Sequence, residues 1–122
     1  AHPVVAGVVA CIAVPLLWRY LKPRPEVAGR TVFITGGSEG IGKSIALEFV
    51  RLGANVVIMA RTEAKLRAAV AELEAARASS GQQVGFQVLD VTDYKGVCDG
   101  ISQAATKFGA PAFLVSCAGA SY

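Results

Sequence analysis

The sequence predicts a doubly wound α/β domain on a parallel sheet, and three observations carry that prediction. From Arg30 onward, short apolar runs alternate with stretches of helical spacing, in the order βαβαβαβ. The second of these runs, Asn55–Ala60, is β-branched and continuously apolar, as a strand buried on both faces is. Each connection between runs has room for a crossover helix, which parallel strands require. The domain is expected over residues 30–122, with an apolar segment at 1–21 and a linker at 22–29 before it.

"PVVAGVVACIAVPLLW" covers Pro3 to Trp18 without a charge. A helix rises about 1.5 Å per residue, so extension through Tyr20 and Leu21 brings the segment close to the roughly 30 Å of a bilayer core. Arg19 would snorkel, Trp18 and Tyr20 suit the lipid–water boundary, and Pro15 is tolerated as a kink. Arg19, Lys22, Arg24 and Arg30 follow the segment, and no Lys or Arg precedes it. One transmembrane anchor is therefore expected, with the domain on the cytosolic side. A signal peptide, a monotopic hairpin and a buried helix are the rivals; a signal peptide would carry its charge ahead of the apolar run. "KPRPEVAG" (22–29) reads as a polar linker stiffened by Pro23 and Pro25.

The first strand is Thr31–Thr35. Ile41, Ile45, Phe49 and Leu52 then mark the inward stripe of a helix that stops at Gly53. Asn55–Ala60 (NVVIMA) is the second strand. Thr62 can cap a second helix with the stripe Leu66, Val70 and Leu73, closed by Ser79-Ser80-Gly81. Val84–Leu89 is the third strand. Thr92 or Asp93 can open a third helix with Val97, Ile101, Ala104 and Phe108 inward, ended by Gly109 and Pro111; Ala112–Ser116 is the fourth strand.

Composition excludes several functions. The chain has 122 residues, 53% hydrophobic and 17% charged, with a formal charge of +3 and no basic tract, so nothing marks it for nucleic acid. His2 is the only histidine, and Cys11, Cys98 and Cys117 lack metal-ligand spacing. No metal is expected, and the cysteines read as reduced thiols in the membrane segment and a packed interior.

The chemistry centres on "TGGSEGIG", Thr35 to Gly42, where the first strand hands over to the first helix. Glycine permits positive φ and lacks a Cβ, so backbone N–H groups can approach a phosphate closely. The helix beginning near Gly40 adds its positive end. A parallel sheet opens a crevice at the carboxyl ends of its strands, and a dinucleotide's two phosphates suit that place. The bland alternative is a tight turn that needs glycine only for packing. A second alternative is a P-loop, because Gly37 to Ser44 satisfies G-x(4)-G-K-[ST] and Asp90 could serve as its acid.

"TGGSEGIGKSIALEF" resembles the cofactor loop of short-chain dehydrogenases/reductases, whose pattern is T-G-x-x-x-G-I-G. "VVIMAR", "LDVTD" and "LVSCAG" match the ends of the family's second, third and fourth strands, so the resemblance covers Thr31 to Gly119. It implies a Rossmann-like domain, of which this chain holds the N-terminal half. It also implies cofactor contacts from Gly36, Ser38, Glu39, Gly40, Ile41 and Gly42, with Asp90 and Val91 flanking the adenine and the backbone of Ala118 and Gly119 approaching the ribose. NAD-dependent members place an acid at the end of the second strand, where this chain has Ala60 followed by Arg61. A guanidinium can grip a 2′-phosphate in a fork, so the expected cofactor is NADPH, with Lys65 adding charge. Glu39 counts against this, since some NADP-using relatives carry a basic residue there. Ser116 and Cys117 depart from the family's N-N-A-G, which puts the tie between neighbouring strands in doubt.

The anchor, the loop and "AR" followed by Lys65-Leu66 resemble most the family's membrane-bound lipid reductases of sphingolipid synthesis, at the endoplasmic reticulum. The expected activity is NADPH-dependent reduction of a lipid ketone, with steroid- or retinoid-acting relatives as the alternative. The family's Ser and Y-x-x-x-K centre lies after the fourth strand. Tyr20 and Tyr94 have no Lys four residues on, and Tyr122 is terminal, so no catalytic residue is assigned here. The chain is expected to be a fragment that exposes a hydrophobic sheet edge and is inactive alone. A homo-oligomer is left open for the full-length form, and a non-catalytic nucleotide-binding protein is the remaining reading.

Overall fold

The computed structural model describes residues 27–117. The expected anchor at 1–21, the linker up to residue 26, and Ala118 and Gly119 lie outside the described residues. Among the described residues no helix is long and apolar enough to cross a membrane.

Seven elements follow in the expected order: β1 (Thr31–Thr35), α1 (Gly40–Arg51), β2 (Asn55–Ala60), α2 (Glu63–Ala75), β3 (Val84–Val88), α3 (Tyr94–Phe108) and β4 (Phe113–Ser116). The strands form one sheet in the order β3-β2-β1-β4, and every pairing is parallel. In register, Val32 sits beside Val56 and Phe113, and Ile34 beside Ile58 and Val115. β3 and β4 are each one residue shorter than the sequence suggests. Even so, the Leu89 N–H donates to the Ala60 carbonyl (2.9 Å) and the Ala112 N–H to the Thr31 carbonyl (2.8 Å), which extends the ladder over the expected ends.

Period two along β1 and β2 sends alternate residues to opposite faces. Val32, Ile34, Val56 and Ile58 pack against Ala46 and Val50 of α1 and Leu66, Ala69 and Leu73 of α2. Phe33, Val57 and Met59 pack on the other face with Leu89 and Ala104, flanked by Val97, Ile101 and Phe108 of α3. Helices therefore cover both faces, and the strand runs need no polar alternation. α3 comes close to the sheet at glycine, for a Cβ on Gly85 would run into the ring of Phe108.

Three expectations need correction. The buried line of α1 is Gly42, Ala46 and Val50, not Ile41, Ile45, Phe49 and Leu52. Ile45 and Phe49 only flank that line, and Ile41 is 74% exposed. At its amino end α1 sits so close to its own turn that position 42 has no room for a side chain. Cys98 is exposed on α3 rather than in a packed interior, while Cys117 is half-buried; both are free thiols. The end of the linker is docked, since the Gly29 N–H donates to the Gly53 carbonyl (3.0 Å) and Asn55 Nδ2 to the Gly29 carbonyl (3.2 Å). At the outer strand, Phe113 is 42% and Leu114 56% exposed, on opposite faces, so β4 presents the expected apolar edge among the described residues.

Candidate functional site

All four strands point their carboxyl ends at the same rim. Between Thr35 and α1, two glycines adopt positive φ: Gly36 at +74° and Gly40 at +62°. The Gly36 N–H donates to the Met59 carbonyl at 2.7 Å, which ties the turn to the end of β2. Gly37 cannot carry a side chain, because a Cβ there would come within 2.6 Å of the Ile58 Cγ2. At Gly42 a Cβ would overlap the Gly36 carbonyl and approach the Gly37 Cα at 3.1 Å, so only glycine lets α1 sit on its own turn. Gly40 differs: a Cβ there would meet nothing within 4 Å, so its side of the turn is open.

Glu39 is the N-cap of α1, in extended conformation, and its side chain makes no capping bond. The first helical bond is the long one from the Lys43 N–H to the Glu39 carbonyl (3.5 Å). The amides of Gly40, Ile41 and Gly42 therefore have no acceptor within the helix. No acidic residue lies in the first turn of α1. The combination is an anion cradle, with free N–H donors, the positive helix end and an open side next to glycine. Such a cradle fits a phosphate of a dinucleotide.

Arg61 follows β2 directly, exposed, and Lys65 lies in the first turn of α2. Lys65 Nζ is paired with Glu39 Oε1 at 3.3 Å. Asp90, just past β3, accepts from the Thr92 N–H (2.9 Å) and the Thr92 Oγ1 (2.7 Å). Those two bonds, with the Arg61 guanidinium beyond them, hold its carboxyl below the usual carboxylate range. Val91 beside it is 45% exposed. The structure thus brings Gly36, Ser38, Glu39, Gly40, Ile41 and Gly42 onto one rim with Arg61, Lys65, Asp90 and Val91.

The P-loop alternative does not match this geometry. Lys43 Nζ turns to Glu72 on α2 (3.1 Å) instead of the turn. Asp90 follows β3, which is separated from β1 by β2. Past Ser116 the backbone stays paired, as the Cys117 N–H donates to the Thr35 carbonyl (3.0 Å), so the main chain keeps β4 joined to β1 despite the missing asparagines. The sequence reading missed Gly37 as a site residue. Its requirement comes from Ile58 across the sheet, and the only sequence signal was its place in the glycine cluster.

The family model described as short chain dehydrogenase matches residues 30–122. The chain belongs to the short-chain dehydrogenase family. It is 44% identical over 94 residues to a PIGF/3-ketodihydrosphingosine reductase fusion protein of Schizosaccharomyces pombe, covering 77% of this chain and 18% of that protein. It is 43% identical over 107 residues to hydroxysteroid dehydrogenase-like protein 2 of Danio rerio, covering 82% of this chain and 25% of that one. Among solved structures, L-sorbose reductase of Gluconobacter frateurii, complexed with NADPH and L-sorbose, superposes with a TM-score of 0.69 at 33% identity, over 76% of this chain and 34% of that chain. The chain spans less than a third of the length of these two curated relatives.

Proposed function

We propose that this chain is the cofactor-binding part of an NADPH-dependent reductase acting on a ketone of a long-chain lipid, 3-ketodihydrosphingosine first among them. One observation carries the reading: an uncapped helix end in an open glycine turn lies on the same rim as Arg61, with no acid at the end of β2. The free amides of residues 40–42 would hold the pyrophosphate and Arg61 the 2′-phosphate. Asp90 and Val91 would border the adenine, and the backbone of Ala118 and Gly119 would meet the ribose. NADPH, when bound, supplies the hydride that converts a ketone to an alcohol. The first relative's name and the loop run TGGSEGIGKSIA support the sphingoid substrate, and the sorbose reductase complex supports the cofactor.

Residues 1–21 would anchor the protein in the endoplasmic reticulum membrane with this domain in the cytosol. A substrate with a long acyl chain stays in the bilayer, and an anchor keeps the cofactor site beside its head group. The proton-donating centre would belong to the part of the protein after β4. The second relative's name favours a steroid ketone as the other reading.

The test uses full-length protein with NADPH, offering 3-ketodihydrosphingosine in mixed micelles against a steroid ketone. Consumption of NADPH with the sphingoid ketone supports the proposal. Turnover of the steroid alone supports the second reading, and turnover of neither removes both. Arg61→Asp should weaken NADPH binding roughly tenfold or more and spare NADH, since a charge-assisted fork is lost. An unchanged preference refutes the assignment of Arg61.

A further inference from the structure

Glu39 stands in the wrong place for an anion site. It is the N-cap of the helix whose free amides form the cradle, and a carboxylate there would compete with a phosphate for the same N–H groups. The structure shows where the carboxylate goes instead. It makes no capping bond, and its Oε1 lies 3.3 Å from Lys65 Nζ, which reaches across from the first turn of α2. One turn deeper, the same helices are joined by a pair of opposite polarity, Lys43 of α1 with Glu72 of α2 at 3.1 Å. The two pairs bridge α1 and α2 beside the rim.

We propose that Lys65 is a positioning residue: it holds the Glu39 carboxylate away from the amides of Gly40, Ile41 and Gly42, and so keeps the phosphate cradle open. This rests on the dinucleotide reading above and assigns Lys65 to the pyrophosphate half of the site, through Glu39, rather than to the 2′-phosphate. The two roles differ in what they predict for a nucleotide without a 2′-phosphate. A direct 2′-phosphate ligand matters only to NADPH, whereas a residue that restrains Glu39 matters equally to NADH.

The experiment titrates NADPH and NADH into the full-length protein by nucleotide fluorescence, using wild type, Glu39→Gln, Lys65→Met, the double variant and Lys65→Arg. Lys65→Met should weaken both nucleotides about three- to tenfold, the range expected for a carboxylate returned to a helix N-terminus. The double variant should return NADH to within about twofold of wild type, because a neutral amide no longer competes for the cradle. Lys65→Arg keeps the partner for Glu39 and should retain wild-type NADH affinity. A loss confined to NADPH in Lys65→Met overturns the inference, as does a failure of Glu39→Gln to rescue NADH or a loss in Lys65→Arg. Wild-type protein that binds neither nucleotide sinks the dinucleotide reading itself, and this inference with it; the two failures are therefore distinct.

Discussion

Replacing Gly42 by alanine is the smallest perturbation that reaches the cradle. The added Cβ would sit 2.7 Å from the Gly36 carbonyl carbon and 3.1 Å from the Gly37 Cα, and both are backbone atoms. Neither can rotate aside. Gly36 is held by its 2.7 Å bond to the Met59 carbonyl, and Gly37 is wedged against Ile58. Restoring an ordinary contact needs a displacement of about an ångström between α1 and its turn, and overpacking of this kind costs about 1–3 kcal/mol. A shift of about 1 Å in a positioning element can cost roughly a hundredfold in turnover. Gly42→Ala should therefore lower the thermal midpoint by several degrees and weaken NADPH binding about tenfold or more. Gly81→Ala is the matched control, since its Cβ would meet nothing within 4 Å and its φ is not positive. Calorimetry and nucleotide titration on the full-length protein read both quantities. If Gly42→Ala melts and binds like Gly81→Ala, the tight seat of the helix on its turn is wrong.

Two further predictions follow from buried and charged groups. The Gln82 side chain is nearly fully buried and makes four bonds: Nε2 to the Val50 and Ala54 carbonyls, both 2.7 Å, with Oε1 accepting from the Ala78 N–H at 2.7 Å and the Ser79 N–H at 3.0 Å. Gln82→Ala leaves these groups without their partner and should cost about 2–4 kcal/mol in a denaturant titration, while exposed Gln83→Ala stays within about 0.5 kcal/mol. Asp90 has a depressed folded pKa, so its stabilising contribution is present above the ordinary carboxylate range and lost as pH falls through the lower folded value. Asp90→Asn should accordingly lose less stability than wild type between about pH 5 and about pH 3; an equal loss would show that Thr92 and Arg61 do not hold the carboxylate.

Much of this architecture is legible in the sequence because it depends on local periodicity. Val32–Ile34 and Val56–Met59 are apolar throughout, since helices cover both sides of them. The glycine turn is legible because Gly36 and Gly40 need positive φ, which few other residues tolerate. The inward face of α1 is not legible by hydrophobicity, for its buried line begins with Gly42 and Ala46, and the large Ile41 faces solvent. Gly37 is required by its contact with Ile58 of β2, a neighbour fixed only by tertiary packing. The Glu39–Lys65 pair is hidden for a related reason: 26 residues separate the two, and only the folding of β2 between α1 and α2 brings them together. From sequence, Asp90 is a candidate adenine neighbour or P-loop acid, and the structure adds a role in the turn after β3. The turn role is seen directly in its bonds to Thr92.

The anion cradle at the start of α1 is the claim on which the rest depends. A crystal structure of the full-length protein with NADPH tests it most directly. The account predicts the pyrophosphate against the amides of Gly40, Ile41 and Gly42, the 2′-phosphate on Arg61, and Glu39 still turned to Lys65. Density for the nucleotide elsewhere, or an α1 amino end closed by the Glu39 carboxylate, would contradict it.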